Sequence, residues 1–215
     1  MFVAGRDALA RPVFYSCLAL ARDRSCLQSN VRHMTAAFEQ AIRMMAAAAD
    51  AGGPRAAQWV WVSDFHGFGL ADLNPAIGRA FLHLSATHYP ERLARFVLVG
   101  APPLFNSLWR LLQRYICEDT RRKILFLPYE PGEAGATATG LAAAGVGADT
   151  AAWLLREMAQ NRAPGAAAVK HYPYRPCDAA KGDHVVDGHD VRGTADVVAL
   201  VAAAPSVALP FGREG

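Results

Sequence analysis

Arg95-Phe96-Val97-Leu98-Val99-Gly100 is a run of apolar and β-branched residues stopped by glycine. A run this short, apolar at adjacent positions, reads as a strand covered on both faces. Upstream, Gln58-Trp59-Val60-Trp61-Val62 has the same character, and between the two lies a helical stripe of Ile77, Phe81 and Leu84. Asn74-Pro75 opens that helix as N-cap and first-turn proline, and Tyr89-Pro90 closes it. Strand, helix and strand joined by short connections make a crossover unit.

The pattern extends both ways. Arg11-Pro12-Val13-Phe14-Tyr15-Ser16-Cys17-Leu18 predicts a first strand, and Val31, Met34, Phe38, Ile42 and Met45 predict a helix over residues 30–49. Downstream, Phe105, Leu108, Trp109, Leu112 and Ile116 form a helix stripe, and Lys123-Ile124-Leu125-Phe126-Leu127 a fourth strand. The class is α/β, a mostly parallel β-sheet with crossover helices. Residues 128–149, rich in Gly, Ala and Thr, read as a flexible low-complexity insert, followed by a helix over 150–160. The main domain is expected over 1–165, and 166–215 as a poorly structured tail with one weak helix over 195–203.

Composition bounds the function. Of the 215 residues 53% are hydrophobic, much of that alanine, so the core must come from Leu, Val, Phe and Trp. No apolar run is long enough to span a bilayer, which predicts a soluble, cytoplasmic protein. Cys17, Cys26, Cys117 and Cys177 form no C-x-x-C pair and are expected to be reduced thiols. A net charge of +3 is too mild and dispersed for nucleic acid.

Four segments follow one another in order: Val62-Ser63-Asp64-Phe65-His66-Gly67-Phe68-Gly69, Tyr89-Pro90-Glu91-Arg92-Leu93, Val99-Gly100-Ala101-Pro102 and Thr120-Arg121-Arg122-Lys123-Ile124. In order and spacing they resemble the successive hallmarks of CRAL-TRIO lipid-binding domains, over about residues 11–127. The resemblance implies a lipid pocket between a sheet floor and a movable gate, and non-enzymatic binding, with transfer between membranes, of a hydrophobic ligand. Phosphatidylinositol is the leading ligand class and another hydrophobic small molecule the second. It further implies a small helical domain ahead of the first strand, for which the ten or so residues before Arg11 leave no room. Relatives place their gating element where residues 128–149 fall in this chain.

By the same resemblance, Glu91, Thr120 and Lys123 match positions that contact an inositol phosphate. These residue types suit that role, since an ammonium attracts phosphate, a hydroxyl donates to it, and a carboxylate orients the lysine or accepts from sugar hydroxyls. A plain surface ion pair between Glu91 and Lys123 is the competing reading, worth about 0–1 kcal/mol. Arg110, Arg114, Arg121 and Arg122 are candidates for a basic surface facing anionic membrane, or simply for a solvated helix face. Phe81, Leu84, Phe96, Leu98, Phe105, Leu108, Trp109 and Leu112 are the expected pocket walls. Trp59 and Trp61, standing where phosphatidylcholine-binding relatives have small hydroxyl residues, join them.

Other functions find less support. His66-Gly67-Phe68-Gly69 resembles the oxyanion loop of α/β-hydrolases, but no G-x-S-x-G accompanies it, so no catalytic residue is assigned. Neither G-x-G-x-x-G nor a P-loop occurs, and no cofactor is expected. Asp183, His184, Asp187, His189 and Asp190 read as a solvated loop, and His83 and His88 are too far around a helix to share a metal. A phosphoinositide-sensing or protein-docking module without lipid transfer is the alternative function. The expected partners are a phospholipid or other hydrophobic small molecule and, transiently, an anionic membrane, bound by a monomer.

Overall fold

The computed structural model describes residues 1–21, 25–132 and 135–164. Its five strands lie in sequence order: β1 (Phe2–Arg6), β2 (Pro12–Cys17), β3 (Trp59–Asp64), β4 (Leu93–Val99) and β5 (Ile124–Leu127). β2 to β5 are parallel, and β1 runs antiparallel to β2. Between them come α1 (Leu27–Asp50), α2 (Pro75–His88), α3 (Phe105–Leu112), extended by a 3-10 turn over Gln113–Tyr115, and α4 (Glu118–Arg122). α5 (Ala136–Ala143) and α6 (Ala148–Asn161) follow the sheet.

Strands in sequence order mean that each crossover steps the sheet in the same direction. Crossovers of one hand then carry their helices to one face. That face, the crossover face, holds Phe14, Trp59, Trp61, Phe96 and Leu98 under α1, α2 and α3. Phe38 of α1 stacks on Trp59 with ring centroids 4.7 Å apart.

The same logic leaves the opposite face bare unless the chain beyond β5 covers it. Val13, Tyr15, Val60, Val62, Val97 and Val99 point there, and all are fully buried. Their cover is α5 and α6, through the fully buried Leu141, Leu154 and Met158. This corrects the reading of residues 128–149 as a flexible insert, since α5 lies within them. Its sequence has no apolar stripe because one leucine and several alanines suffice against a flat sheet. Gly5 admits α6 at the edge, where a Cβ would stand 2.6 Å from the Thr150 hydroxyl.

β1 is a second departure, as the sequence reading began the sheet at Arg11. It joins β2 through a turn held by the buried Asp7 carboxylate, which accepts from the backbone N–H groups of Leu9 and Arg11 at 2.9 and 2.8 Å and pairs with the Arg11 guanidinium. α1 starts three residues before its expected first residue, Asn30, and the expected helix over 150–160 is α6. The expected tail over 166–215, with its weak helix and the Asp183 to Asp190 group, lies outside the described residues.

Candidate functional site: the crossover face and its polar edge

Tyr89-Pro90-Glu91-Arg92 divides its work by residue. Tyr89 ends α2 and is buried, its ring 5.1 Å from that of Phe38 and its hydroxyl donating to Glu39 Oε1 at 2.7 Å. Burial, with the Glu39 carboxylate next, raises its pKa well above the ordinary phenol value. Arg92 ties down the start of β3: its guanidinium donates to the Ala57 carbonyl at 3.0 Å, and its own carbonyl accepts from Trp59 N–H at 2.8 Å. Pro90 and Glu91 are exposed at the turn, Glu91 with a left-handed backbone at φ 57°. For glutamate that conformation costs about 1–2 kcal/mol, which the helix-ending turn imposes.

Glu91 meets Lys123. The Lys123 ammonium lies 3.1 Å from Glu91 Oε2, the lysine side chain 20% exposed and the glutamate 87%. Lys123 is the C-cap of α4, and its carbonyl accepts from Phe96 N–H at 2.8 Å, which pins the residue to the start of β5 beside β4. Two of the three predicted headgroup residues are thus brought together, 32 positions apart in sequence. Thr120 is one helical turn away, its hydroxyl within 3.2 Å of the Cys117 sulfur. That contact is the leading cause of a Cys117 thiol pKa below the usual value.

The ten predicted pocket residues all belong to the crossover face. Trp59, Trp61 and Leu84, with Phe81 and Phe96 against them, sit in one cluster under α1 and α2; Leu98, Phe105, Leu108 and Leu112, with Trp109 against them, sit in the next under α3. They pack on one another rather than around a void: Trp61 lies 5.0 Å from Phe81 and 4.8 Å from Phe96, centroid to centroid. A groove of about 120 Å³ opens between α2 and the end of α3, lined by Pro75, Arg79, Leu111, Leu112, Arg114 and Tyr115. Small-molecule pockets occupy roughly 300–1,000 Å³, so this groove is too small for a lipid in the packing described.

The four basic candidates separate into two pairs. Arg121 and Arg122 lie 3.8 and 3.4 Å from Glu118, and Arg122 also 3.9 Å from Asp119, so α4 carries its own counter-charges. Arg110 and Arg114 are exposed on α3 and its 3-10 extension beside the exposed Leu111 and Tyr115.

The opposite face holds polar residues to which the sequence reading gave no role. Asp64, fully buried at the end of β3, receives both terminal nitrogens of Arg162 at 2.6 and 2.7 Å, the Tyr15 hydroxyl at 3.0 Å and His66 N–H at 3.0 Å. Asn161 Nδ2 donates to the Tyr15 hydroxyl at 2.9 Å, and the guanidinium lies 3.5 Å from the Tyr129 ring centroid. Burial and then the Asp64 charge push the Tyr15 pKa up, and the same two causes carry the Cys17 thiol to about 11. This group fastens the end of α6 to the sheet. No local signal in the sequence links Asp64 to Arg162, 98 positions later.

His66-Gly67 serves the same region. Gly67, at φ 78°, passes so close to the turn after β2 that a Cβ would meet Ala19 at 2.8 Å. The Ser63 hydroxyl is bonded to Ser16 rather than to a histidine. Among the described residues, no group of three or more His, Cys, Asp or Glu side chains is arranged to hold a metal ion, and no helix is long and apolar enough to cross a membrane.

The chain is 33% identical over 92 residues to Protein real-time of Anopheles gambiae, a match spanning 41% of this chain and 13% of that protein. It is 28% identical over 106 residues to a CRAL-TRIO domain-containing protein of Caenorhabditis elegans, covering 47% of this chain and 15% of the relative. These matches span only a small part of the relatives' own lengths. Among solved structures, Sfh5 aligns with a TM-score of 0.47 and 16% identity, over 74% of this chain and 62% of its own. The CRAL/TRIO domain family model matches residues 1–132, more than half of the sequence, and the chain belongs to that family of hydrophobic-ligand-binding domains.

Proposed function

We propose that the crossover face is the floor of a ligand site and that this domain binds one amphiphile there without chemical change, most favourably phosphatidylinositol or a related phospholipid. One observation carries the headgroup assignment. Glu91, in a costly left-handed conformation, is paired at 3.1 Å with a Lys123 that is four-fifths buried beside the apolar strands. An ammonium at that edge attracts phosphate, while the more exposed carboxylate can turn from the lysine to ligand hydroxyls. Thr120 lies close enough in sequence to add a hydroxyl after rotating away from Cys117. The apolar body would insert among Trp61, Phe81, Phe96, Leu98, Phe105, Leu108, Trp109 and Leu112, with Trp59 and Leu84 deeper under α1 and α2.

Since those side chains fill the space between helices and sheet, uptake requires α2 or α3 to move outward. Each methylene then buried contributes about 0.8 kcal/mol, which drives transfer from water. The domain would act as a cytoplasmic monomer visiting anionic membranes through Arg110 and Arg114, with Arg121 and Arg122 contributing less because of their acidic neighbours. The exposed strip of Arg110, Leu111, Arg114 and Tyr115 also favours a second reading, in which the domain senses a membrane without withdrawing lipid.

The test is vesicle-to-protein extraction of phosphatidylinositol and phosphatidylcholine by the full chain and by Lys123→Ala and Glu91→Ala. The proposal expects wild type to prefer phosphatidylinositol and both variants to lose that preference. Unchanged preference in both variants would remove the headgroup assignment and leave the fold intact.

A further inference from the structure

The crossover face is apolar with one interruption. Ser16 near the end of β2 and Ser63 near the end of β3 are direct cross-strand partners. Their hydroxyls lie 3.1 Å apart, and the Trp61 indole N–H donates to the Ser16 oxygen at 2.9 Å. Side chains two apart on a strand share a face, so Ser63 lies between Trp61 and Phe65. On its other side it is paired with Leu98 of β4. Trp61 belongs to the cluster under α1 and α2, Phe65 and Leu98 to the cluster under α3. The hydroxyl pair therefore occupies the seam between the two apolar clusters, Ser63 buried and Ser16 partly open.

Counting hydrogens shows what the seam lacks. Two hydroxyls carry two hydrogens, and their mutual bond uses one whichever of them donates. The indole is a donor only and takes up none. Among the described residues no acceptor takes the second hydrogen. When Ser63 donates to Ser16, the spare hydrogen lies on the partly open Ser16 hydroxyl, where an acceptor entering between helices and sheet can take it, while the Ser16 oxygen holds the Trp61 indole N–H.

The pair is not part of the Lys123 edge. Lys123 is level with Arg95 and Ser63 with Leu98, three residues along β4, and β3 is two strands from β5. That is about 10 Å along the strands and about 10 Å across them.

We propose that Ser16 and Ser63 are a second polar contact within the ligand site, donating one hydrogen bond to a neutral oxygen carried by the apolar body of the bound amphiphile: an ester, ketone or hydroxyl oxygen. One uncharged donor does not offset the desolvation of an anion, so the contact selects neutral acceptors. It deepens the hydrophobic-ligand reading above and rests on it.

The test compares methyl palmitate with heptadecane, delivered from cyclodextrin to the full chain. One hydrogen bond corresponds to a preference for the ester of roughly five- to tenfold. The Ser16→Ala/Ser63→Ala double variant should favour the ester over the hydrocarbon by no more than about twofold, as expected when that bond is missing. In wild type, the Trp61 indole N–H resonance should shift differently with the ester than with the hydrocarbon, because an acceptor on the hydroxyl pair strengthens the bond that the indole makes to Ser16, a readout that does not depend on how the variant folds. An ester preference retained by the double variant, or equal affinity of wild type for both probes, would overturn the contact while leaving the ligand site standing. If wild type binds neither probe and extracts no phospholipid, the ligand-binding reading itself falls and the contact with it.

Discussion

Replacing Glu91 by glycine and, separately, by alanine divides its backbone role from its carboxylate role. The residue sits at φ 57°, where any residue with a Cβ bears about 1–2 kcal/mol. Alanine keeps that cost and loses only the contact with Lys123. With the glutamate side chain 87% exposed, solvent screening reduces that contact to the lower part of the range of about 0–1 kcal/mol. Glycine loses the same contact but relieves the left-handed strain, at a conformational-entropy cost of about 0.5–1 kcal/mol relative to alanine. Glu91→Gly should therefore exceed Glu91→Ala in stability by about 0–1.5 kcal/mol, or up to roughly 3–6 °C in Tm for a chain of this size. Urea and thermal unfolding followed by circular dichroism measure the difference, and phosphatidylinositol extraction should fall equally in both variants. A glycine variant melting below the alanine variant would refute the strain argument. Unequal loss of extraction would show that backbone geometry, rather than the carboxylate, matters at the ligand edge.

Three further outcomes are expected. Arg162→Met leaves the buried Asp64 carboxylate without its cation and should cost about 3–5 kcal/mol in urea unfolding, whereas Asp64→Asn/Arg162→Met, which removes the charge and keeps an acceptor for the Tyr15 hydroxyl and His66 N–H, should recover part of it; equal losses in the single and double variants would contradict the pairing. Leu141→Ala, at a fully buried position of α5, should cost about 2–5 kcal/mol, and a loss below that range would mean that α5 does not cover the sheet. The Thr120 hydroxyl lowers the Cys117 thiol pKa, so more thiolate is present at neutral pH than without it. Thr120→Val should move the midpoint of the iodoacetamide rate–pH profile upward and slow Cys117 alkylation at pH 7, about where protein thiols begin to ionise; an unmoved midpoint would show that the hydroxyl does not face the sulfur.

Local pattern explains which parts of the fold were readable from sequence. Trp59-Val60-Trp61-Val62 is apolar on both alternations, which only a strand buried on both faces requires, and the stripe through Phe38 and Met45 has helical spacing. The same two-sided strands demanded a second layer of cover, a constraint stronger than the composition of residues 128–149. α5 escaped notice because helix existence there is decided by the flat surface beneath Leu141, a tertiary effect that overrides propensity. β1 escaped because Phe2–Arg6 is short and holds Gly5, and pairing with β2 through the Asp7 turn makes it a strand. Of the proposed headgroup residues, Glu91 and Lys123 are singled out by the family resemblance alone, and the structure brings them into contact. Ser16, Ser63 and the Asp64–Arg162 pair were not legible, because their meaning depends on strand register and on chain positions far apart.

The central claim is that this domain takes a lipid into the space between its crossover helices and sheet. Native mass spectrometry of the full chain, recovered after incubation with vesicles of mixed phospholipids, measures this most directly. The account predicts a complex of one protein with one lipid, enriched in phosphatidylinositol over its share in the vesicles. Apo protein alone, recovered under conditions that preserve the fold, would contradict it.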